Sequence, residues 1–221
     1  MLIIAGLGNP GEEYLNTRHN VGRMVAQAFA KRNDFPDFIF SKKYNALISE
    51  RVMTVVFETN MLKKGKPTGA HKLSKKTKEK VMVILPETFM NKSGSALKPL
   101  VSNAKKAEQL IVIHDDLDLA FGSSKLAFNR GSGGHRGVES VIRALKTEAF
   151  TRLKIGISPS TPSGKIKKPS NDKILDFIIG KFKPAELEQM KKISKESADY
   201  VKIILEEGRS HAAGSINNKK K

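Results

Sequence analysis

Four polar segments hold the residues able to do chemistry. Residues 6–20 read GLGNPGEEYLNTRHN and close on Arg18-His19-Asn20, just ahead of a helical pattern. A histidine titrates near neutrality and suits a general base; an isolated one is more often structural or merely exposed. The chain has no cysteine, and no serine in a nucleophile-elbow sequence. Water activated by a base is therefore the simpler hydrolytic design. Residues 111–118, IVIHDDLD, place carboxylates at the end of a buried strand, where α/β proteins bind ligands. One of them could hold an imidazole in a single tautomer. His114 with Asp115, Asp116 and Asp118 could instead ligate a metal, although no HExxH or cysteine pattern supports it, or the acids could simply cap a turn.

The third segment, 131–137, reads GSGGHRG and leads into a helix, so its bare backbone N–H groups could hold a phosphate or a carbonyl. Alone it would read as a flexible turn. The fourth, 86–94, reads PETFMNKSG. Asn91 could offer an amide to a substrate or serve as an N-cap, and Phe89 and Met90 read as core or pocket wall. Gly6-x-Gly8-x-x-Gly11 matches a dinucleotide fingerprint. It lacks the helix opening at the third glycine and the acidic residue at the end of a second strand, which leaves a tight turn as the plainer reading.

These side chains must be positioned by elements the hydropathy pattern outlines. Apolar runs predict strands over 2–5, 46–48, 52–57, 81–85, 110–114, 124–128 and 153–157. Apolar residues at helical spacing predict helices over 21–31, 93–103, 138–146 and 184–207, the last with Pro184 in its first turn and Gly208 at its end. Strands interleaved with helices predict an α/β domain with a parallel or mixed sheet. Two stretches read as surface loops: 63–80, with eight lysines, and 158–173, rich in Ser, Pro and Lys. The tail 214–221 reads as frayed.

The chain has 221 residues, 40 Lys+Arg against 22 Asp+Glu, and a formal charge of +18. Such a field attracts polyanions, RNA above all. No apolar run approaches the ~20 residues of a transmembrane helix, no secretory signal opens the chain, and no basic amphipathic helix points to a membrane surface.

In this order the segments GLGNPGEEYLNTRHNVG, LPETFMNKSG, IVIHDDLDLAFGSSKL, GSGGHRGVESVI and FTRLKIGI resemble the bacterial-type peptidyl-tRNA hydrolase family. The matches span residues 6–157. The resemblance implies one α/β domain over 1–221, a twisted mixed sheet flanked by helices, with no metal and no organic cofactor. It implies hydrolysis of the ester between a peptide and the tRNA 3′ ribose, which recycles tRNA in translation, in a cytoplasmic monomer. The family's catalytic histidine falls on His19 and its orienting carboxylate on Asp115. Its two amides fall on Asn9 and Asn91, which would bind the peptide end and steady the oxyanion. Tyr14, Met90, Asn91, His135 and Arg136 become the expected substrate-binding side chains, and Lys125 and Lys154 the clamp on the tRNA 5′ phosphate.

Three features depart from the family. Arg136 stands where an asparagine usually follows the GGH histidine. Residues 63–80 and 158–173 are both enlarged and lysine-rich, which implies added electrostatic grip on tRNA. A non-catalytic RNA-binding protein on the same fold is the main alternative. It has no need of His19, Asp115, Asn9 and Asn91 together.

Overall fold

A computed structural model describes residues 1–60 and 72–218. The strands are β1 (Leu2–Gly6), β2 (Ile39–Ser41), β3 (Ala46–Asn60), β4 (Lys72–Pro86), β5 (Leu110–Ala120), β6 (Ser124–Phe128) and β7 (Thr151–Ser158). The helices are α1 (Val21–Arg32), α2 (Ser93–Leu97), α3 (Ala104–Ala107), α4 (Arg136–Leu145), α5 (Ile174–Ile179), α6 (Pro184–Glu207) and α7 (Arg209–Asn217). The strands form one seven-stranded mixed sheet in the order β2-β3-β4-β1-β5-β7-β6. β1 lies parallel to β4 and β5, and β5 parallel to β7, while β3 and β6 are antiparallel to their neighbours. The α/β expectation holds.

β1 is buried along its whole length, as a central parallel strand covered on both faces must be. Its alternate residues feed two cores. Leu2 and Ile4 join Val25, Phe29, Val201 and Ile204 under α1 and α6, and Ile3 and Ala5 join Leu97, Val138 and Val141 under α2 and α4. Two glycines let α1 settle onto the sheet. A Cβ on Gly22 would lie 2.2 Å from Ile113 O, and one on Gly6 would lie 2.6 Å from Gly22 O.

Several expected boundaries move. Strands expected at 46–48 and 52–57 are one strand, β3, because the polar residues between them are held from the side. Ser49 donates to Pro36 O at 2.5 Å and Glu50 pairs with Lys80 at 3.1 Å. Of the expected loop 63–80, residues 72–80 belong to β4 and pair with 60–52 of β3. Lys76, Lys78 and Lys80 are exposed while Thr77 and Glu79 are half-buried, a period of two that the density of charge disguised. The remainder of the expected loop, 63–71, lies outside the described residues.

The helix expected over 93–103 breaks in two. Pro99 removes an N–H from the helical ladder, and the Asn103 side chain accepts from Lys106 N–H at 2.9 Å to start α3 afresh. Residues 158–173 fold as turns, with a Ser160–Ile166 bridge and a 3-10 turn over Asn171–Lys173, and lead into α5, which the apolar pattern did not single out. The expected fraying does not hold for 214–217. These residues lie in α7, where Ile216 is buried and Asn217 exchanges two hydrogen bonds with the Leu126 backbone at 2.8 and 3.1 Å. Residues 219–221 lie outside the described set.

Candidate active site

His19 sits in a 3-10 turn, Arg18–Asn20, between the glycine turn and α1. Neighbours on both sides pin that turn. Asn20 Nδ2 donates to Asn9 O at 2.9 Å and its Oδ1 accepts from Asn9 N–H at 2.8 Å. Arg18 donates to the carbonyls of Phe177, Gly180 and Lys181, pairs with Glu186 at 2.9 Å, and stacks on Phe177 and Phe182. His19, between these anchors, is 7% exposed. Of the three fingerprint glycines only Gly11 has positive φ, at 103°; a single 3-10 turn, Glu12–Tyr14, follows it, and the first α-helix opens ten residues later at Val21.

Asp115 comes from β5, which was expected to stop at His114 but runs on to Ala120 with a register shift after Asp116. Its carboxylate oxygens lie 2.9 and 3.0 Å from His19 Nδ1. A second imidazole reaches the same carboxylate, with His135 Nε2 2.9 Å from Asp115 Oδ1. His135 is also the N-cap of α4, and its Nδ1 accepts from Gly137 N–H and Val138 N–H at 3.1 and 3.2 Å. Those two donors fix the tautomer: Nδ1 carries the lone pair and Nε2 carries the proton. His135 thus donates into Asp115, a partnership that the GGH motif did not announce because histidine is an uncommon cap.

Burial alone would raise the pKa of Asp115. The imidazoles of His19 and His135, through charge and hydrogen bonds, outweigh it and hold the carboxyl well below the usual range. An ionised Asp115 accepts at Nδ1 of His19 and leaves the Nε2 lone pair of His19 as the basic position. His114 is different. Burial first, and the nearby His135 second, push its pKa well below the ordinary histidine value. Its Nδ1 donates to Asp115 O at 2.6 Å, and its buried Nε2 has no hydrogen-bond partner among the described residues. His114 is a neutral ring under the site, packed edge-on against His135 with centroids 4.7 Å apart.

The metal reading of His114 with Asp115, Asp116 and Asp118 finds no support. Asp116 is paired with Lys154, Asp118 with Lys168, and Nδ1 of His114 is committed to the backbone. The groups that do converge are His19, Asp115 and His135, whose ligand atoms lie within 4.8 Å of one another. They do not fit a cation either, because the capping bonds of His135 turn a proton rather than a lone pair toward the centre.

A cleft of about 860 Å³ opens over this group. Asn9, His19, Met90, Asn91, Asp115, His135 and Arg136 all line it, together with apolar residues of α5. Asn9 Oδ1 accepts from Met90 N–H at 2.8 Å, which leaves the amide N–H groups of Asn9 as donors. Asn91 is exposed within the 3-10 turn Met90–Lys92 and caps nothing. Tyr14 stands at the rim, edge-on to Phe89 with ring centroids 6.4 Å apart, and is not part of the wall. Lys125 and Lys154 face each other across β6 and β7 but do not line the cleft, and Lys154 is already paired with Asp116.

The chain matches the family model described as peptidyl-tRNA hydrolase over residues 3–221. It is 35% identical to a peptidyl-tRNA hydrolase of Carboxydothermus hydrogenoformans over 218 residues, covering 98% of both chains. It is 36% identical to one of a Thermoanaerobacter species over 218 residues, covering 98% of this chain and all of that one. The crystal structure of peptidyl-tRNA hydrolase from Acinetobacter baumannii superposes with a TM-score of 0.75 at 26% identity, covering 100% of this chain and 96% of the other. With a family model spanning nearly its whole length and relatives of this identity, the chain belongs to the peptidyl-tRNA hydrolase family.

Proposed function

We propose that the protein hydrolyses the ester joining a peptide to the 3′ ribose of tRNA, as a single hydrolase domain that acts in the cytoplasm as a monomer. The observation that carries this reading is the doubly anchored Asp115, which presents His19 as a base at the wall of a cleft. His19 Nε2 takes a proton from water, and the water attacks the ester carbonyl. The positive charge that arrives on the ring is stabilised by Asp115, and the ring returns its proton to the ribose 3′ oxygen as the tetrahedral intermediate collapses and the ester C–O bond breaks. The amide of Asn9, with that of Asn91, donates to the developing oxyanion, and such a donor is worth about 3 kcal/mol in the transition state. The apolar side of the cleft receives the peptide, while Arg136 at its wall, with Lys168 once released from Asp118, supplies cations for the nucleotide phosphates. No step uses a metal, in keeping with the proton that His135 directs at Asp115. No helix among the described residues is long and apolar enough to cross a membrane.

The test is incubation with an N-acylated aminoacyl-tRNA in the presence of a chelator. Release of free tRNA and free acyl-amino acid is the expected outcome. Tight binding without release would instead favour an RNA-binding protein on this fold.

A further inference from the structure

The hairpin of β3 and β4 is longer than the sheet that carries it. β1 pairs with β4 only from Val81 to Ile84, whereas β3 and β4 pair from Ala46↔Pro86 out to Asn60↔Lys72. The pairs from Val52↔Lys80 to Asn60↔Lys72 extend past β1 as a two-stranded arm, about 30 Å long at ~3.4 Å per residue. The arm leaves the sheet at the N-terminal end of β1. The cleft lies at the opposite end, beyond Gly6 and Pro86, so that Lys80 and the cleft are separated by about 20 Å of strand.

The two faces of the arm differ. Val55 on one face is buried in the core shared with α6. The other face shows Lys76, Lys78 and Lys80 to solvent, with Val52 and Thr54 exposed beside them and Val56, opposite Lys76, buried. Lysines two residues apart on a strand stand ~6.8 Å apart, which makes a regular row of cations for a polyanion. Lys80 shares its charge with Glu50 at 3.1 Å. Lys76 and Lys78 face no carboxylate among the described residues. At the same end and on the same side of the sheet, α3 adds exposed Lys105 and Lys106, beside exposed Glu108.

We infer that this lysine-bearing face of the arm, with α3, is a second RNA-docking surface, which grips the phosphate backbone of an RNA segment other than the acceptor end held in the cleft. The occupant is a polyanion because the face offers cations at regular spacing. It is RNA rather than a lipid surface because the face, among the described residues, lacks the aromatic anchors that seat a basic surface in a membrane. The contact is sequence-independent, since lysines on a strand meet phosphates and read no base edges.

The experiment uses the full chain and a 20-nucleotide single-stranded RNA that carries no ester. Binding is titrated over a range of salt for the wild type, for the triple variant Lys76→Gln, Lys78→Gln, Lys106→Gln, and for the same three positions changed to Arg. Each lost phosphate contact lowers the slope of log K against log salt by about 0.7, so the Gln variant is expected to lose about 2 and the Arg variant to keep the wild-type slope. Hydrolysis of acylated tRNA at saturating substrate is expected to be equal in all three proteins. An unchanged slope in the Gln variant overturns the proposal. So does preferential sedimentation of the wild type with phosphatidylserine vesicles over RNA. Because the probe has no ester, absence of hydrolysis would sink the hydrolase reading and leave this result standing.

Discussion

The Nδ1 of His19 lies 2.9 and 3.0 Å from the two oxygens of Asp115, a residue 96 positions away, and both groups are buried. A positioned base contributes about 10² to 10⁴ in rate. His19→Ala is expected to lower kcat by that factor and leave the Kd for tRNA unchanged. Asp115→Asn removes a charged hydrogen bond worth about 1.5–3 kcal/mol, hence about 10- to 100-fold in kcat. Single-turnover hydrolysis of acylated tRNA reads both. An Asp115 variant as fast as wild type would remove the carboxylate from the mechanism.

His135 serves two structures at once, the start of α4 and the carboxylate of Asp115. His135→Ala should therefore lower stability by about 1 kcal/mol through the lost cap, or about 2–4 °C in Tm for a chain of this size. It should also reduce kcat while leaving KM close to wild type. A residue that only touched substrate would move KM and spare Tm, so the pair of readouts separates the two roles.

His114 predicts a pH dependence of stability. Its folded pKa is depressed by burial, so below about 6.5 the unfolded chain takes up a proton that the folded ring refuses. Stability is fully present above about pH 6.5 and falls as pH drops, with a limiting slope of about 1.4 kcal/mol per pH unit. Asp115 acts lower down. Its folded pKa is also depressed, so its contribution is complete above about pH 4 and is lost below it. His114→Asn keeps a donor toward Asp115 O and cannot titrate there. Denaturant melts between pH 7 and 5 should show a flatter dependence for this variant, and parallel curves would contradict the assignment.

Lys125 and Lys154 share a cross-strand position, but Asp116 holds Lys154. Lys125→Ala is expected to raise KM for acylated tRNA and to make the salt dependence shallower by about one phosphate contact. Lys154→Ala should do less. Asp116→Asn frees Lys154 and should tighten binding, most visibly at low salt. Equal effects of the two lysine changes would mean that the Asp116 pair opens when RNA arrives.

The contact of Gly22 with Ile113 O leaves no room for a methyl group. Gly22→Ala must push α1 away from β5, at a cost of about 1–3 kcal/mol, and His19 moves with the helix. Both Tm and kcat should fall. Gly133→Ala is a useful contrast, since open space surrounds that position and only its φ of 62° resists the change.

The buried strands and the long helix were legible because their apolar periodicity is strong. β1, β6 and α6 fall at or within one residue of their expected ends. Of the arm, the strand over 52–57 was legible and the β4 half was not, since lysine at alternate positions looks the same whether a segment is a loop or a strand. α7 was missed because its two buried residues, Ala212 and Ile216, are too few to make a stripe. Within the cleft, the candidate residues came from motif order, and the structure brings Asn9, His19, Met90, Asn91, Asp115, His135 and Arg136 to one wall. What the motifs did not carry is partnership. Arg18 as a clamp on the start of α6, Asn20 as the brace of the glycine turn, and His135 as a donor to Asp115 are tertiary contacts between segments far apart in the chain.

Asp115 must receive one donor from the first tenth of the chain and another from beyond its midpoint. A polypeptide halted short of α4 holds the base with only half of its support.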